Sequence, residues 1–423
     1  MKMDKSLHEA FDKLGREVTG PILFQFVRWI LEEAGKYNIH ILYFLARDGY
    51  VLKKIAEYVV STYKLPVVCK YLYCSRSSLR TPTYHLIGEE AFDLLSLGGY
   101  CVTLNSLLER AKLDAEQRAV VLKECGLLEQ PCARPLSKAE LREITQRLRD
   151  SRYYRECVIQ NAKEAYPAAV GYLRQEGLFD CDHIAIVDSG WTGSMQRSLR
   201  QLLESAGYSG MITGFYFGLY ALPKEPRDGN YLSWYFHARG NIRDKILFCN
   251  NLFECILSAP HGMTQSYREV DSQYLPILLP GPSGTQLKMI EAQLTGILRS
   301  MAAYMGSADW ENANTTRKNR HLAKKFRRLM TRPSMEEAAT YGAFMFNDDI
   351  SDLDRLELAG QAQVKQLRLY LLHNRLLRKL GEMPPIQELF WPYGVIAFLP
   401  KWKQAWYRWN IFAWETMKYL LKH

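Results

Sequence analysis

The sequence lacks most of the features that mark zinc-binding, secreted or membrane-spanning proteins. Its nine cysteines form no Cys-x-x-Cys pair and no Cys/His cluster at zinc-ligand spacing, so we expect reduced thiols in a cytoplasmic protein. The first residues, Met1–Glu9, lack the apolar stretch of a secretory signal. No uninterrupted apolar run reaches the roughly 18 residues that predict a membrane-spanning helix. These absences favour a globular cytoplasmic protein.

The chain is long and basic, which bears on its number of structural units and on its partners. With 423 residues, of which 48% are hydrophobic and 24% charged, it can form two or three structural units with substantial cores. A formal net charge of +10 predicts an anionic partner, such as nucleic acid, a phosphorylated substrate or a membrane surface. We expect no nucleic-acid partner, because the sequence contains no recognisable nucleic-acid-binding module.

Apolar runs alternate with helical patterns, which is typical of an α/β fold with a mainly parallel, doubly wound sheet. The predicted strands cover residues 39–45, 67–73, 184–188, 211–220 and 231–237. The predicted domains are a sheet core at 1–85 and 178–280, a helical insertion at 86–177 and a helical C-terminal region at 285–423. Pro280–Gly284 is a linker-like segment between the core and the C-terminal region.

The most informative stretch, residues 184–199, combines an apolar strand that ends in an acid, a Gly/Thr/Ser loop and the start of a helix. This order places backbone N–H groups and hydroxyls at a helix N-terminus, where the helix dipole favours a phosphate. Asp188, at the carboxyl end of the strand, is expected to face the crevice in which open α/β sheets bind ligands. The alternative is an ordinary turn, which short polar residues and glycine also form.

A second loop, Phe44–Tyr50, follows the first predicted strand and contains Arg47, Asp48 and Gly49. Its functional interpretation rests on its pairing with the 188–194 loop, since both follow strands of one sheet. The alternative is a surface turn with a local ion pair of little energetic value.

Two further groups of residues have both a functional and an ordinary interpretation. Arg76 and Arg80 follow the second predicted strand, and they are either ligands for an anion or solvated surface residues. Glu254 and His261 lie near a Ser-Ala-Pro segment, and they are either site residues or ordinary loop and helix-end residues.

With these two loops in this order, the chain resembles the phosphoribosyltransferase superfamily over roughly residues 38–220. The resemblance implies that Arg47, Asp48 and Gly49 bind the pyrophosphate of phosphoribosyl pyrophosphate, with Arg76 and Arg80 close to it. It also implies that the second loop binds the ribose hydroxyls and the 5-phosphate, through Asp188, Ser189, Gly190, Trp191, Thr192, Gly193 and Ser194. Ser189 stands where the family pattern has a second acid.

A narrower resemblance, over about residues 20–270, is to the glycan phosphoribosyltransferases of bacterial polysaccharide assembly. The segments that carry it are Gly20–Phe24, Tyr43–Tyr50, Tyr73–Ser77, Val187–Gln196 and Asn251–Pro260. The resemblance implies transfer of 5-phosphoribose to a hydroxyl of a glycan acceptor, expected to be lipid-linked, with release of pyrophosphate and Mg²⁺ as cofactor. Such a step belongs to ribofuranose synthesis in an O antigen or capsule, with a haloacid-dehalogenase-type phosphatase acting next.

A transferase of this kind requires particular chemical roles. Negative charge develops on the departing pyrophosphate, and Arg47 and Mg²⁺ are expected to stabilise it. Mg²⁺ would be held mainly by the donor, with Asp188 as a candidate protein ligand. A sugar hydroxyl is a poor nucleophile, so a carboxylate base is expected, and the candidates are Asp48 and Glu254.

Two other functions remain as alternatives. A non-catalytic regulator with a phosphoribosyl pyrophosphate site stays open, because Ser189 replaces the second acid of the family pattern. A haloacid-dehalogenase-type phosphatase requires an Asp-x-Asp pair at a strand end, whereas Asp188 is followed by Ser189 and Gly190.

The C-terminal region ends in a basic, tryptophan-rich tail. Residues 401–423 contain five Lys/Arg residues and one acid, together with four tryptophans. Such rings and cations suit the headgroup zone of a membrane, which would make the protein peripheral on the cytoplasmic face of the inner membrane. The alternative is that the tryptophans pack onto the protein body or a partner.

Overall fold

The computed structural model describes residues 2–97, 102–223, 230–305, 316–346, 356–367 and 389–420. The strands are β1 (Ile41–Leu45), β2 (Val68–Leu72), β3 (His183–Trp191), β4 (Met211–Leu219), β5 (Tyr231–Phe236), β6 (Thr264–Val270), β7 (Gln273–Leu278), β8 (Met345–Phe346) and β9 (Leu356–Glu357). The helices before β3 are α1 (Lys2–Leu14), α2 (Gly20–Lys36), α3 (Gly49–Tyr63), α4 (Arg76–Arg80), α5 (Glu89–Leu95), α6 (Leu104–Arg110), α7 (Ala115–Glu124), α8 (Lys138–Asp150) and α9 (Arg152–Gln175). The later helices are α10 (Ser194–Ser205), α11 (Ile242–Leu247), α12 (Asn250–Ile256), α13 (Gly284–Met305), α14 (Thr316–Thr331), α15 (Met335–Gly342), α16 (Pro392–Ala397) and α17 (Lys401–Leu420).

The central sheet has five parallel strands in the order β2-β1-β3-β4-β5. The α/β fold class and all five predicted core strands are confirmed. The chain moves outward from β1 to β2, and it then returns to place β3 on the other side of β1. A crevice forms at such a reversal, because the two connections leave the sheet on opposite faces.

Helices cover both faces of the sheet, because its strands are apolar on both sides. On β1, Leu42 and Phe44 belong to a core formed with α2, α3 and α13. The alternate residues Tyr43 and Leu45 belong to a second core formed with α9 and α10. Each strand end is therefore fixed from both sides, which positions the loops that follow.

Residues predicted as a helical insertion form the helices α5 to α9 within the described part of 86–177. These helices have their own hydrophobic cluster, which includes Leu107, Ile144 and Val158. Helix α9 continues beyond that cluster, and its residues Ala169 and Tyr172 pack against the sheet. One helix thus connects two cores.

The antiparallel hairpin β6–β7 has no counterpart among the predicted elements. Its turn residues Asp271 and Ser272 both have positive φ, the conformation of the two-residue turns that favour Asn-Gly or Asp-Gly. The hairpin packs on α9, where the rings of Tyr267 and Tyr172 stack with their centroids 4.4 Å apart. It thereby covers the side of the sheet next to β2.

The C-terminal region is mostly helical, as predicted, and its first helix, α13, packs against α1 and α2. Trp391 is fully buried, and its indole N–H donates to the Met330 carbonyl oxygen at 2.9 Å. Parts of the predicted 285–423 region, including the tail residue Lys422, lie outside the described residues. Among the residues described, none of the helices has the length and apolar character needed to cross a bilayer.

Candidate active site at the carboxyl ends of the central strands

The two loops singled out in the sequence meet where the strand order reverses. Strands β1 and β3 are neighbours, and Phe44 pairs with Val187 just before both loops begin. Across the junction, the Ser189 hydroxyl donates a hydrogen bond to Asp48 Oδ2. Ligands of open α/β sheets bind at this kind of position, so it is the candidate active site.

Asp188 and Asp48 form a pair of carboxyl groups at this junction. Burial and the nearby charge of Asp48 raise the pKa of Asp188 to about 7, against hydrogen bonds from the backbone N–H groups of Ser189 and Gly190. Burial also raises the pKa of Asp48, against the hydrogen bond from Ser189. Two close carboxylates resist joint ionisation, so the pair favours a bound cation or a shared proton.

Strand β3 is longer than the sequence indicated. The predicted strand ends at Asp188, whereas the observed strand continues to Trp191, which pairs with Leu219 on β4. Gly190 has a φ of +117°, and a Cβ there would lie 2.2 Å from the Gly218 carbonyl oxygen. A glycine is therefore required where β3 passes closest to β4.

Trp191 anchors the end of β3 in an aromatic cluster. Its ring lies 5.3 Å from that of Phe248 and 6.0 Å from that of Phe253, measured between centroids. Its indole N–H donates to Glu254 Oε1 at 2.9 Å. The resemblance implies that Trp191 binds the donor. In the structure, its ring packs at the end of β3 and its indole N–H orients Glu254.

The loop 192–194 forms the start of α10. Thr192 is exposed, and Gly193 adopts a left-handed conformation at the N-cap, where a Cβ would lie 2.7 Å from the Tyr231 ring. The N-cap residue Gly193 supplies no side-chain cap to α10, which begins at Ser194. Its first N–H groups are therefore available to an anion, as the sequence predicted for a phosphate cradle.

The predicted arginines occupy two positions. Arg76 is exposed, and its charge, like that of Arg47, lowers the pKa of the Asp48 carboxyl. Arg80 is buried beside Arg76, Arg110 and Arg197, and burial lowers its pKa. Arg80 forms no ion pair within the described residues. A buried guanidinium among other cations is stabilised by an anionic ligand.

A small recess of about 50 Å³ lies beside the two loops. Its lining includes Arg47, Asp48, Glu254, Ser258, Gln286 and Phe346. Since a cavity of roughly 10–15 Å³ on this measure already holds one water, the recess accepts a group of only a few heavy atoms.

Three tyrosines that were not among the predicted site residues surround His261 beside Arg47. The His261 ring lies between Tyr50, Tyr71 and Tyr73, with centroid separations of 5.0 to 6.2 Å. The Gly262 carbonyl oxygen accepts from Nδ1 at 2.8 Å, so Nε2 accepts from the Tyr71 hydroxyl at 2.8 Å. Burial and the charge of Arg47 lower the pKa of His261, in agreement with a neutral ring.

Replacing Gly49 with alanine tests how the first loop is positioned. A Cβ at Gly49 would lie 2.7 Å from the Phe44 carbonyl carbon, so we expect Gly49→Ala to lower the free energy of unfolding by about 1–3 kcal/mol. The control is Gly35→Ala, which meets no atom within 4 Å and should stabilise its helix by about 0.5–1 kcal/mol. Urea unfolding measures both, and equal stabilities of the two variants would contradict the proposed close contact.

The carboxyl pair predicts a fall in stability as pH rises from about 4 to 7. The folded-state pKa of Asp188 lies above its unfolded value, so in this window the unfolded chain binds fewer protons. Relative to Asp188→Asn, the native protein should lose roughly 1–2 kcal/mol of unfolding free energy between pH 5 and 7. The control is Asp182→Asn, at an exposed position just before the same strand, which should keep the native slope of unfolding free energy against pH. Parallel slopes for the native protein and Asp188→Asn would contradict the coupling.

The side chains present fit Mg²⁺ only in part. Carboxylate oxygens are suitable ligands for Mg²⁺, and Asp48 and Asp188 supply them. Among the described residues, no group of three or more His, Cys, Asp or Glu side chains could hold a metal ion. The pair alone would leave most of an octahedral coordination shell to phosphate oxygens and water.

Comparison with known protein families and with curated proteins does not place the chain in a family. The sequence matches no model of a known family, and no curated protein matches it significantly. The chemistry of the site therefore rests on its own side chains: two carboxyl groups, several arginines and an uncapped helix N-terminus.

Proposed function

We propose that the protein transfers 5-phosphoribose from phosphoribosyl pyrophosphate to a glycan hydroxyl, with release of pyrophosphate. The observation that carries the proposal is the hydrogen bond from Ser189 to Asp48. It joins the two loops that the resemblance assigns to opposite ends of one donor. Arg47 and Arg76 lie near the carboxyl pair and Arg197 lies in the first turn of α10, which supplies the positive charge that a ligand with two phosphate groups requires.

The two cationic positions suggest how the donor would bind. Arg47 and Arg76 lie by the carboxyl pair, so the pyrophosphate would occupy that side. Arg80 interacts with Arg76 and also with Arg197, which lies in the first turn of α10. The start of α10 would then receive the 5-phosphate. Asp188, between the two sides, would then hold the ribose hydroxyls.

Departure of pyrophosphate leaves positive charge on the ribose ring and negative charge on the leaving oxygens. Arg47 would donate hydrogen bonds to those oxygens, and these bonds would strengthen as the negative charge on the oxygens grows. When bound, Mg²⁺ would neutralise pyrophosphate charge, and Asp188 and Asp48 are the carboxylates available to hold it. The tyrosines around His261 would limit water near the leaving group.

The acceptor hydroxyl requires a base, and two carboxylates are candidates. Asp48 lies at the junction, and its raised pKa brings it nearer the working pH of a base. Glu254 lines the recess and is oriented by Trp191.

Substitution distinguishes these two candidates. The amide variant of the true base, Asp48→Asn or Glu254→Gln, should lower kcat about a hundredfold and remove the acidic limb of its pH profile. The other variant should keep that limb. Steady-state kinetics from pH 5 to 9 measure both, and an acidic limb retained by both variants would exclude the two carboxylates as bases.

Incubation with phosphoribosyl pyrophosphate, Mg²⁺ and a panel of glycan acceptors tests the proposal. Release of pyrophosphate together with an acceptor mass gain of one phosphoribose is the expected result. Donor binding in calorimetry without turnover would favour the regulator instead. Absence of both binding and turnover would overturn the proposal, and phosphate release from sugar phosphates would favour the phosphatase.

The proposal extends to the cellular setting. A lipid-linked acceptor would place the enzyme at the cytoplasmic face of the inner membrane as a peripheral protein. The phosphorylated product calls for a phosphatase next, of the haloacid-dehalogenase type that the sequence resemblance implies. Mg²⁺ dependence would be measured by chelation with EDTA and restoration with MgCl₂.

A further inference from the structure

Helix α17 turns an apolar face to solvent. Its residues Tyr407 and Ile411 are buried against the protein, so the helix is anchored on one side. On the other side, Trp402, Trp406 and Trp409 are 76%, 59% and 67% exposed. Of the two interpretations of the tail, packing of these three rings onto the protein body is therefore excluded.

The exposed rings belong to a continuous stripe. Residues spaced by three or four positions share one helix face. The residues at this spacing along α17, here called the α17 stripe, are Trp402, Trp406, Trp409, Ala413, Met417 and Leu420. All six are apolar, and Phe412 beside them is also exposed. An exposed apolar patch of this kind marks an interaction surface.

Basic residues flank the stripe. Lys401 and Lys403 lie at its start and form no ion pair within the described residues. The Lys403 ammonium lies 4.8 Å from the centroid of the Trp402 ring. Farther along, Arg408 lies close enough to Arg332 for burial and that second charge to lower its pKa. The surroundings of the stripe therefore attract anions.

We propose that the α17 stripe docks on an anionic lipid bilayer, with the helix lying in the plane of the headgroups. Tryptophan rings favour the interface between hydrocarbon and water, and lysines beside them bind anionic headgroups. A second copy of the chain would bring the same cations together, which disfavours self-association. The inference does not require transfer activity, so it stands or fails separately from the proposed function.

Vesicle flotation of the full chain tests the inference. We expect binding to vesicles of phosphatidylcholine with phosphatidylglycerol, and much weaker binding to phosphatidylcholine alone. Combined Trp402→Ser, Trp406→Ser and Trp409→Ser substitutions should weaken binding about a hundredfold. Combined Lys401→Ala and Lys403→Ala should weaken it about twentyfold at low salt. A blue shift of tryptophan emission on vesicle addition reports burial of the rings.

Matched controls separate the stripe from general exposure. Leu97→Ser, Leu128→Ser and Met335→Ser remove three exposed apolar side chains elsewhere, and Lys123→Ala with Lys138→Ala removes two cations from the insertion. Both controls should bind like the native protein, and all variants should keep the native circular dichroism. Absence of native binding, equal binding by the stripe variant, or a dimer in light scattering that only the stripe variant abolishes would overturn the inference.

Discussion

The Asp188→Asn variant is expected to keep its fold and to lose about a thousandfold in kcat/KM for phosphoribosyl pyrophosphate. Asparagine has nearly the same shape but carries no charge, and its amide N–H₂ cannot accept from the ribose hydroxyls. The variant also relieves repulsion with Asp48, so its stability at pH 7 should equal or exceed that of the native protein. Steady-state kinetics measure kcat/KM, calorimetry measures donor binding, and urea unfolding measures stability.

Asp182→Asn is the matched control for this variant. Asp182 precedes β3 at the opposite edge of the sheet and is exposed, so its replacement should leave kcat/KM unchanged. Unchanged kinetics for Asp188→Asn in an assay where the native protein is active would exclude the proposed role of that carboxylate.

The Arg47→Ala variant is expected to lower kcat several hundredfold while changing KM much less. The guanidinium would contact oxygens whose negative charge increases as the bond to ribose breaks, so it stabilises the transition state more than bound donor. Arg47→Lys should recover only part of the loss, since lysine keeps the charge but not the planar two-point hydrogen bonding. Initial rates over a range of donor concentrations separate kcat from KM.

Arg152→Ala serves as the control for the arginine. Arg152 is exposed on α9 and pairs with Glu156 on its own helix, so the substitution removes a charge without touching the strand ends. A loss for Arg47→Ala that is confined to KM would show that the residue binds the donor without stabilising its departure.

The sheet was predictable because buried parallel strands appear in a sequence as short apolar runs bounded by turn residues. Residues 39–45 and 184–188 are runs of this type, and they became β1 and the greater part of β3. The β6–β7 hairpin escaped prediction for a local reason. Its turn uses Asp271 and Ser272 rather than a glycine pair, and Pro276 interrupts the strand pattern of β7.

The two loops of the site were predictable because strand ends and helix starts are local in sequence. Their contact through Ser189 and Asp48 depends on strand order, which residue patterns do not specify. His261 was a candidate from the sequence, but its contact with Tyr71 was not predictable, since the two residues are 190 positions apart. The packing role of Trp191 also depends on distant partners, such as Phe248.

Helix α9 makes the insertion and the sheet mechanically continuous. Val158 near its start belongs to the hydrophobic cluster of the insertion, and Tyr172 near its end belongs to the core beneath the sheet. A force or thermal fluctuation that detaches the insertion must therefore bend this helix or pull Tyr172 away from Tyr267. The insertion and the sheet are accordingly expected to melt as one cooperative unit, and the crevice inherits the stability of both.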